Sequence, residues 1–438
     1  MIRRGLVIAA LGALVFTVAF AGERRRAVAP ISHPTFSKEV VRIFQDHCQS
    51  CHHPGGAGPF SLTTYDAAFP KAALIRYMTT ARRMPPVRLV EGCGDFANAN
   101  HLSPSEISAI ATWVQNGSPE GNPADLPKPL IFKDEGWTLG EPDIVSTLPK
   151  PYLGITTGDT FRVFPMPTFF DHDTYVTGVE VRPGSRYVHH VAIMTDSSGK
   201  AEALDALDDE PGYFNGADIG FVPSAFIATW TPGQPAFMLP EGSAFLVPAG
   251  SRLVMDLHLR EIDGVITPDQ TMIGIHLAKG PVKKLVKYDA VDNNTFIVPA
   301  NNPDYVVTQT WSTDHAIHIT GIGAHAHRIA RTFDATATFP DGSKHCLLKI
   351  DDWDWQWQGL YPYVEPVAIP AGTRIDMVVT YDNSESNPAQ FYFPPKDIPY
   401  GGSGTDNEMC RVYFTFTRDD ENAAEQRVEA ATKTPGCH

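Results

Sequence analysis

The sequence predicts a multidomain chain in which a small all-α module precedes two tandem all-β sandwich domains of the jelly-roll kind. Residues 30–120 space their apolar side chains at helical intervals, whereas many runs after residue 148 alternate apolar and polar side chains as strands do. An eight-residue segment that recurs about 120 residues later indicates two related β domains. At 438 residues the chain is also too long for one ordinary hydrophobic core.

Residues 1–21 predict a secretory signal peptide. A positive start at Arg3 and Arg4 precedes an apolar run over 5–20 and an A-x-A cleavage site over 19–21. The run of about 16 residues is shorter than the ~20 that a bilayer span needs, although the charged residues that follow leave an uncleaved N-terminal anchor as the alternative. We therefore expect an exported protein, periplasmic or extracellular, with no stable membrane span after cleavage.

The net charge argues against two kinds of partner, and the composition favours one class of fold. The net charge of −15 argues against nucleic acid and against anionic membrane surfaces as partners. The 35 glycines and 37 prolines, with a hydrophobic content of 43%, favour a loop-rich globular protein with much β-structure.

The all-α module contains three predicted helices. The first covers 36–47 and the second 66–82, both on apolar residues at helical spacing. The third has a capping box from Ser103 to Glu106 with proline at its first helical position, and Gly117 ends it. Three short helices suffice for a small haem-carrying domain.

The end of the first predicted helix carries a c-type haem attachment signature. In Cys48-Gln-Ser-Cys51-His52 the two thiols would form thioethers with the haem, and the histidine would supply the proximal nitrogen. Met84, freed by the prolines that follow it, is the expected sixth ligand, with Met78 as its rival. A redox dithiol or half of a zinc site are the alternatives, but neither has its usual sequence context here. We expect one covalent haem c.

Four further cysteines permit disulfides. Cys93, Cys346, Cys410 and Cys437 could form two bridges in three possible pairings, which the sequence leaves open. Cys346 with Cys410 is weakly preferred because both fall in the same predicted domain.

The predicted domain boundaries follow the changes in composition and in the spacing of apolar residues. After the cytochrome-like domain (30–120) comes a linker rich in proline, glycine and acidic residues over 121–147. The two sandwiches are expected over 148–285 and 286–418, followed by a tail over 419–438.

A recurring segment supports duplication of the sandwich. Residues 246–253 read Leu-Val-Pro-Ala-Gly-Ser-Arg-Leu, and residues 368–375 read Ala-Ile-Pro-Ala-Gly-Thr-Arg-Ile. The alternative is that Pro-Ala-Gly is simply a good hairpin connector. In this alignment His258 corresponds to Thr380, so one strand position holds a metal-ligand candidate in only one domain.

Six side chains of the β region are candidate metal ligands. They are His189, His190, His258, His325, His327 and Met409. Imidazoles with a thioether suit copper, which cycles between a state that prefers nitrogen and one that tolerates soft sulfur. His325 and His327 would share one face if the backbone is extended, whereas His189 and His190 could bind one metal only at a twist or bulge.

Two other sets of side chains are interpreted as structural. Trp353, Trp355 and Trp357 alternate, so they are expected to share one strand face in the core, with an aromatic platform for a substrate as the alternative. His315 and His318 lack the context of the candidate ligands.

The order of ligands resembles a known family. His-His, one histidine about 70 residues later, His-x-His and then Glu-Met-Cys is similar to the copper type II, ascorbate-dependent monooxygenases, over roughly residues 150–418. This is the family of the peptidylglycine α-hydroxylating and dopamine β-monooxygenases. The resemblance implies an electron-relay copper at the first three histidines. It implies an oxygen-binding copper at the catalytic His325, His327 and Met409.

The chain also departs from that family. Gly323 stands where the peptide-processing members have an arginine that grips a substrate carboxylate, which argues against a peptide substrate. Tyr413 is kept, but Arg411 occupies the polar position before it. The cysteine that would pair with Cys410 is missing near Met377.

These observations lead to one main hypothesis and one alternative. The resemblance implies an enzyme that hydroxylates an activated C–H bond of a small organic substrate with O₂. Electrons from an upstream donor would enter at the haem, pass to the three-histidine copper and be used at the second of the two coppers. The alternative is a copper-holding scaffold or electron-transfer protein without hydroxylase activity, since a fold and its ligands do not guarantee chemistry.

Overall fold

The computed structural model describes residues 31–97, 99–132, 136–154, 159–214, 219–234, 236–260, 268–401 and 407–421. In this part of the chain, helices occur mainly before residue 126 and strands dominate thereafter. The predicted signal peptide, Cys437 and most of the predicted tail lie outside the described residues. Across the described ranges, no helix combines the length and apolar character needed to cross a membrane.

Four of the five described α-helices lie in the N-terminal region. The α-helices are α1 (Val41–His47), α2 (Tyr65–Ala68), α3 (Ala72–Thr80), α4 (Pro104–Gln115) and α5 (Lys200–Asp205). A π-helical turn, Phe36–Val40, leads into α1. At the start of α4 the predicted capping box is present, because the Ser103 hydroxyl accepts the Glu106 N–H and the Glu106 carboxylate accepts the Ser103 N–H. Trp113 of α4 is fully buried among the aromatic rings of this helical region.

Two sheets form the first sandwich. Its strands are β1 (Ile144–Thr147), β2 (Asp159–Phe170), β3 (Thr174–Arg182), β4 (Val188–Asp196), β5 (Ala225–Trp230), β6 (Phe237–Met238), β7 (Ser243–Val247), β8 (Ser251–Arg260), β9 (Met272–Leu277) and β10 (Lys284–Leu285). Sheet A has the order β1-β9-β3-β7-β10 with β6 added to β3, and sheet B has the order β2-β8-β4-β5. Their facing apolar side chains form one core, as in other sandwiches.

The second sandwich repeats this architecture. Its strands are β11 (Lys287–Asp292), β12 (Ile297–Val298), β13 (Tyr305–Ser312), β14 (Ile317–His325), β15 (Ala330–Thr338), β16 (Lys344–Ile350), β17 (Leu360–Ile369), β18 (Arg374–Tyr381), β19 (Ile398–Pro399) and β20 (Arg411–Arg418). Sheet C has the order β11-β20-β14-β17, sheet D has the order β13-β18-β15-β16, and β12 pairs with β19. The mostly-β architecture predicted after residue 148 is therefore present.

The recurring Pro-Ala-Gly segment occupies the same place in both sandwiches. Each copy carries the chain from one sheet to the opposite one, from β7 in sheet A to β8 in sheet B and from β17 in sheet C to β18 in sheet D. Gly250 (φ 81°) and Gly372 (φ 83°) take the left-handed conformation that glycine tolerates best. Neither copy is a hairpin connector, which supports the interpretation of a duplicated domain.

A segment before α4 joins the helical region to the second sandwich. Leu89 and Phe96 form isolated bridges with Ile350 and Tyr363 and are buried in the core of that sandwich. A disulfide connects Cys93 to Cys346 within this contact, as described next. The segment between α3 and α4 is therefore packed into the second sandwich, whereas the helices around it form a core of their own.

The predicted preference for a Cys346–Cys410 disulfide is wrong. Cys346 in β16 bonds to Cys93, which is 253 residues earlier in the chain, and Cys410 is a buried free thiol. The reason is topological, because β16 lies in sheet D while Cys410 precedes β20 of sheet C, on the opposite side of the sandwich. Two cysteines of the same predicted domain therefore lie on opposite sides of that domain.

Candidate metal centres

Three histidines of the first sandwich converge on one point. His190 in β4 lies directly across from His258 in β8, and His189 precedes it. Their Nδ1 atoms are 3.1 Å apart for His189 and His258, 3.2 Å for His190 and His258, and 3.3 Å for His189 and His190. We call this group the three-histidine site.

A β-bulge brings the two adjacent histidines to the same side. The register of β4 against β8 shifts between Val188 and His190, so that His189 is the extra residue on β4. On a regular strand neighbouring side chains would point to opposite faces. The predicted irregularity is therefore present, and it allows His189 and His190 to face one ion.

The spacing of the three nitrogens fits a metal ion. Metal–nitrogen bonds of ~2.0–2.1 Å in a tetrahedral site place the nitrogen ligands about 3.3 Å apart. Burial, with the neighbouring His258 and His189, lowers the pKa of His190 well below its usual value, which keeps this imidazole in the neutral form that binds metals. Phe161 stacks on the buried His258 ring with the ring centroids 4.0 Å apart, and so restricts its orientation.

The second candidate site lies at the ends of the two inner strands of sheet C, β14 and β20. His325 ends β14, and its Nε2 is 3.3 Å from the Met409 sulfur, which lies just before β20. The His327 ring is 5.5 Å from the His325 ring, centroid to centroid, at an interplanar angle of 89°. His327 lies two residues after the end of β14, so the two histidines are not alternate residues of one strand. We call this group the His-His-Met site.

Hydrogen bonds at Nδ1 define which nitrogen of each ring would bind a metal. Nδ1–H of His327 donates to the Asn407 carbonyl at 2.7 Å, and Nδ1 of His325 is hydrogen-bonded to the Gln358 side-chain oxygen. Both rings would therefore bind through Nε2, with the other nitrogen held by an outer partner as in many metal sites. Burial lowers the pKa of His325 to about 3, so this ring is also neutral.

A buried carboxylate joins the two halves of the His-His-Met site. Glu408 accepts the backbone N–H groups of His327 at 2.8 Å, Ile329 at 2.8 Å and Met409 at 3.3 Å. Burial raises the pKa of Glu408 to about 8, and these three donors oppose that shift by favouring the charged form. The carboxylate thus ties the turn after β14 to the segment before β20.

The segment of three tryptophans is a loop and not a strand. The prediction that these indoles share one strand face is wrong, because an Asx turn at Asp354 folds the chain between β16 and β17. Trp353 donates from its indole N–H to the His327 carbonyl at 3.0 Å. The Trp355 ring lies 6.1 Å from the His189 ring. We call residues 351–359 the bridging loop, since it contacts both candidate sites.

In the predicted haem attachment segment, a hydrogen bond fixes one ring nitrogen of His52. Nδ1–H of His52 donates to the Phe60 carbonyl at 2.9 Å, which assigns Nε2 as the atom for a metal. Cys48 and Cys51 are free thiols directly after α1. A Cβ on Gly58 would lie 2.6 Å from the His52 ring, so the loop approaches the imidazole as closely as a glycine allows. These residues fit a c-type haem.

Met84 stays the predicted sixth ligand of that haem. It lies in the turn after α3, half-buried, with its N–H donating to the Met78 carbonyl at 3.2 Å. Met78 is within α3 and is also half-buried.

The haem signature contacts the first sandwich. A Cβ on Gly233, in the segment after β5, would lie 2.6 Å from the Cys51 sulfur. The next residue, Gln234, reaches the second sandwich and donates to the Leu360 carbonyl at 3.4 Å. The attachment cysteine therefore lies where the helical region and the two sandwiches meet.

Tyr413 explains why position 323 is a glycine. The Tyr413 ring covers Gly323, and a Cβ there would lie 2.6 Å from the tyrosine oxygen and 2.7 Å from the Gly359 carbonyl. An arginine at this position could not be accommodated without displacing the tyrosine. Arg411, the other departure, forms a two-point ion pair with Asp292 at 2.6 and 2.9 Å.

The two histidines interpreted as structural each contact a carboxylate near the end of β20. His315 contacts Asp420 at 2.7 Å and His318 contacts Asp419 at 2.8 Å. These contacts hold the end of β20 against the start of β14.

Sequence reasoning missed two residues of the His-His-Met site. Gln358 had no local signal, because its contact with His325 depends on the path of the bridging loop. Glu408 was part of the Glu-Met-Cys motif, but its position in that motif does not reveal that it accepts three backbone N–H groups.

Comparisons with known proteins add no support for a function. No family model matches the chain, and no curated protein matches it. Among solved structures, T=1 particles derived from infectious bursal virus match at 10% identity and a TM-score of 0.17, covering 66% of this chain and 79% of that one. The PBCV-1 virus capsid matches at 9% identity and a TM-score of 0.24, covering 67% and 99%. Likenesses this weak carry no argument about fold or function.

Proposed function

We propose that this chain is an exported copper monooxygenase that hydroxylates an activated C–H bond of a small organic substrate with O₂. Its electrons would come from an upstream donor through a covalent haem c. The observation that carries the proposal is the convergence of three Nδ1 atoms within 3.1–3.3 Å in one sandwich and of His325 and Met409 within 3.3 Å in the next. This donor chemistry supports copper at both sites.

The two sites support different roles. Copper, when bound, would supply one-electron transfer and O₂ activation. The chain's own part is to hold His190 and His325 neutral by burial and to fix the ring nitrogens of His325 and His327 by hydrogen bonds. The thioether of Met409 at the second site favours the reduced metal, while three imidazoles at the first suit a relay.

The contact between Cys51 and Gly233 supports the haem as the point of electron entry. Gly233 follows Trp230, the last residue of β5, and Trp230 pairs with Val191, the residue after His190. Cys51 thus contacts a residue that lies three positions after β5, the strand paired with β4 of the three-histidine site. The Cys93–Cys346 disulfide supports an oxidising compartment, where haem c is also attached.

The test follows visible absorbance of the reduced haem after O₂ is added to the full chain, with and without copper. We expect fast reoxidation only with copper, and we expect Met409→Ile to slow it to the copper-free rate while haem reduction stays intact. Equal rates with and without copper would contradict electron transfer between the sites. Unchanged reoxidation in Met409→Ile would contradict the oxygen-site assignment.

One observation favours the second candidate, an electron-transfer or copper-holding protein without hydroxylase activity. Tyr413 fills the place where peptide-processing relatives of similar ligand order have a substrate-gripping arginine. Formation of a hydroxylated product from any C–H substrate separates the two candidates.

A further inference from the structure

Two arginines from different sandwiches meet at one indole of the bridging loop. The guanidinium carbon of Arg260 lies 6.0 Å from the centre of the Trp355 ring, and that of Arg328 lies 5.6 Å from it. Arg328 also lies 5.7 Å from the Phe391 ring. Cation–π contacts of this kind orient a guanidinium without neutralising its charge.

Neither of these guanidinium groups has an ion pair among the described residues, and Nε of Arg328 is buried without a hydrogen-bond partner. The bridging loop does contain carboxylates, but Asp352 and Asp354 face Arg88 at 3.6 and 3.8 Å. In a chain with 50 acidic and 35 basic residues, two arginines without an ion pair at one indole are unexpected. A buried donor without an acceptor is unfavourable unless a ligand supplies one.

The arginines lie beside both candidate metal sites. Arg260 is two residues after His258 on β8, so both side chains are on the same face of sheet B. Arg328 directly follows His327, and Trp355 contacts His189. A molecule held by this pair would therefore be close to the ligands of both sites.

We propose that Arg260, Arg328 and Trp355 form a binding subsite for an organic carboxylate. Guanidinium groups bind planar carboxylates through paired N–H donors, and Nε of Arg328 is one such donor. The rings of Trp355 and Phe391 offer apolar surface to the body of the same molecule. The role of this carboxylate as substrate rests on the proposed function, but its binding does not.

The same chemistry could serve a carboxylate of another source. A haem attached at Cys48 and Cys51 carries two propionates, and Cys51 lies near the junction of the sandwiches. The two sources can be distinguished by experiment. If the arginines bind a free carboxylate, their replacement lowers the affinity for an added molecule; if they bind a propionate, it does not.

The test is isothermal titration of the full chain with benzoate, with its neutral analogue benzamide and with inorganic phosphate. We expect benzoate to bind and expect Arg260→Gln and Arg328→Gln each to weaken it about tenfold to a hundredfold, the range for a hydrogen bond to a charged group. Arg328→Lys keeps the charge but loses the paired donors, so it should bind with intermediate affinity. Arg374→Gln, which removes an exposed arginine paired with Asp376, should bind as the unaltered chain does.

The outcomes separate this proposal from the proposed function. Binding of benzoate by copper-stripped protein, lost in the arginine variants, supports the subsite even if no hydroxylation is found. Equal benzoate affinity in the unaltered chain and both glutamine variants, or no benzoate binding at all, overturns it. Altered haem absorbance in these variants with unaltered benzoate affinity assigns the arginines to the propionates and overturns it too. If phosphate binds as tightly as benzoate, the subsite does not select an organic carboxylate and the proposal is overturned.

Discussion

The first and second sandwiches place different side chains at one shared position of their common fold. In sheet B, His190 of β4 pairs with His258 of β8 after a bulge between Val188 and His190. In sheet D, Thr332 of β15 pairs with Thr380 of β18 after a bulge between Ala330 and Thr332. The duplicated backbone, including its bulge, is the same, whereas the residues that it presents are not.

In the second sandwich the two threonines at this position bond to each other. The hydroxyl oxygens of Thr332 and Thr380 are 2.6 Å apart and hydrogen-bond each other. At the bulge, Arg331 takes the place of His189, and its carbonyl accepts the backbone N–H of Trp353 at 2.8 Å. Metal-ligating ability is therefore a property of the side chains on this bulge and not of the bulge itself.

The second candidate site is not the counterpart of the first. The His-His-Met site lies between the end of β14 and the start of β20, the inner strands of sheet C, whereas the three-histidine site lies on sheet B. The two sites consequently depend on different local devices, a bulge in one and a buried carboxylate in the other.

The largest expected effect comes from making the two sandwiches alike. His258→Thr gives β8 the residue of β18, and removing one of three imidazoles should abolish metal binding at the three-histidine site. We expect copper content after loading and desalting to fall from about two ions per chain to about one. Thr380→Ala is the matched control and should leave the content unchanged. Full retention of copper in His258→Thr would show that these histidines are not ligands.

The histidine sites should also respond to acid, as the threonine pair cannot. Burial holds the pKa of His325 at about 3, whereas the unfolded chain takes up the proton near ~6.5. The metal-free protein should therefore have its full stability above that pH and lose stability as the pH falls toward 3. Urea midpoints across this range should show a weaker pH dependence in His325→Gln. An identical dependence in that variant would mean that His325 is not buried in its neutral form.

A smaller effect is expected from the buried carboxylate of Glu408, which supports the His-His-Met site. Glu408→Gln replaces one acceptor oxygen by an amide donor facing backbone N–H groups, which should lower the free energy of unfolding by about 1–3 kcal/mol. Thermal unfolding measures this change, and metal content should fall at the His-His-Met site alone. Glu180→Gln is matched, because buried Glu180 accepts the N–H groups of Thr138 and Leu139 at 2.8 and 3.0 Å. It should destabilise similarly without loss of metal.

The most local effect is expected at the bridging loop, where only the metal affinity of one site should change. Gln358→Leu removes the hydrogen bond to Nδ1 of His325, and loss of such an outer partner weakens metal affinity about tenfold to a hundredfold without removing a ligand. Competition with a chelator measures the affinity. The three-histidine site should be unaffected in the same titration. An unchanged affinity at the His-His-Met site would show that Gln358 does not orient the ring.

Much of the fold was predictable because its signals are short-range. The capping box of α4 spans three residues, and the alternation that predicts strands is a property of neighbours. The recurring Pro-Ala-Gly segment pointed to a duplicated domain, and the two copies occupy equivalent crossings between sheets. The order of the histidines selected His189, His190 and His258, which the structure brings together.

The sequence by itself determined which residues could bind metals, where most strands and helices form and that the sandwich architecture occurs twice. The tertiary structure alone decided that Cys93 bonds Cys346, that Gln358 and Glu408 support the His-His-Met site, and that Trp355 contacts two arginines and His189. These contacts join residues far apart in the chain, through loops without periodicity. Because these contacts depend on how whole sheets pack, they cannot be predicted from patterns among neighbouring residues.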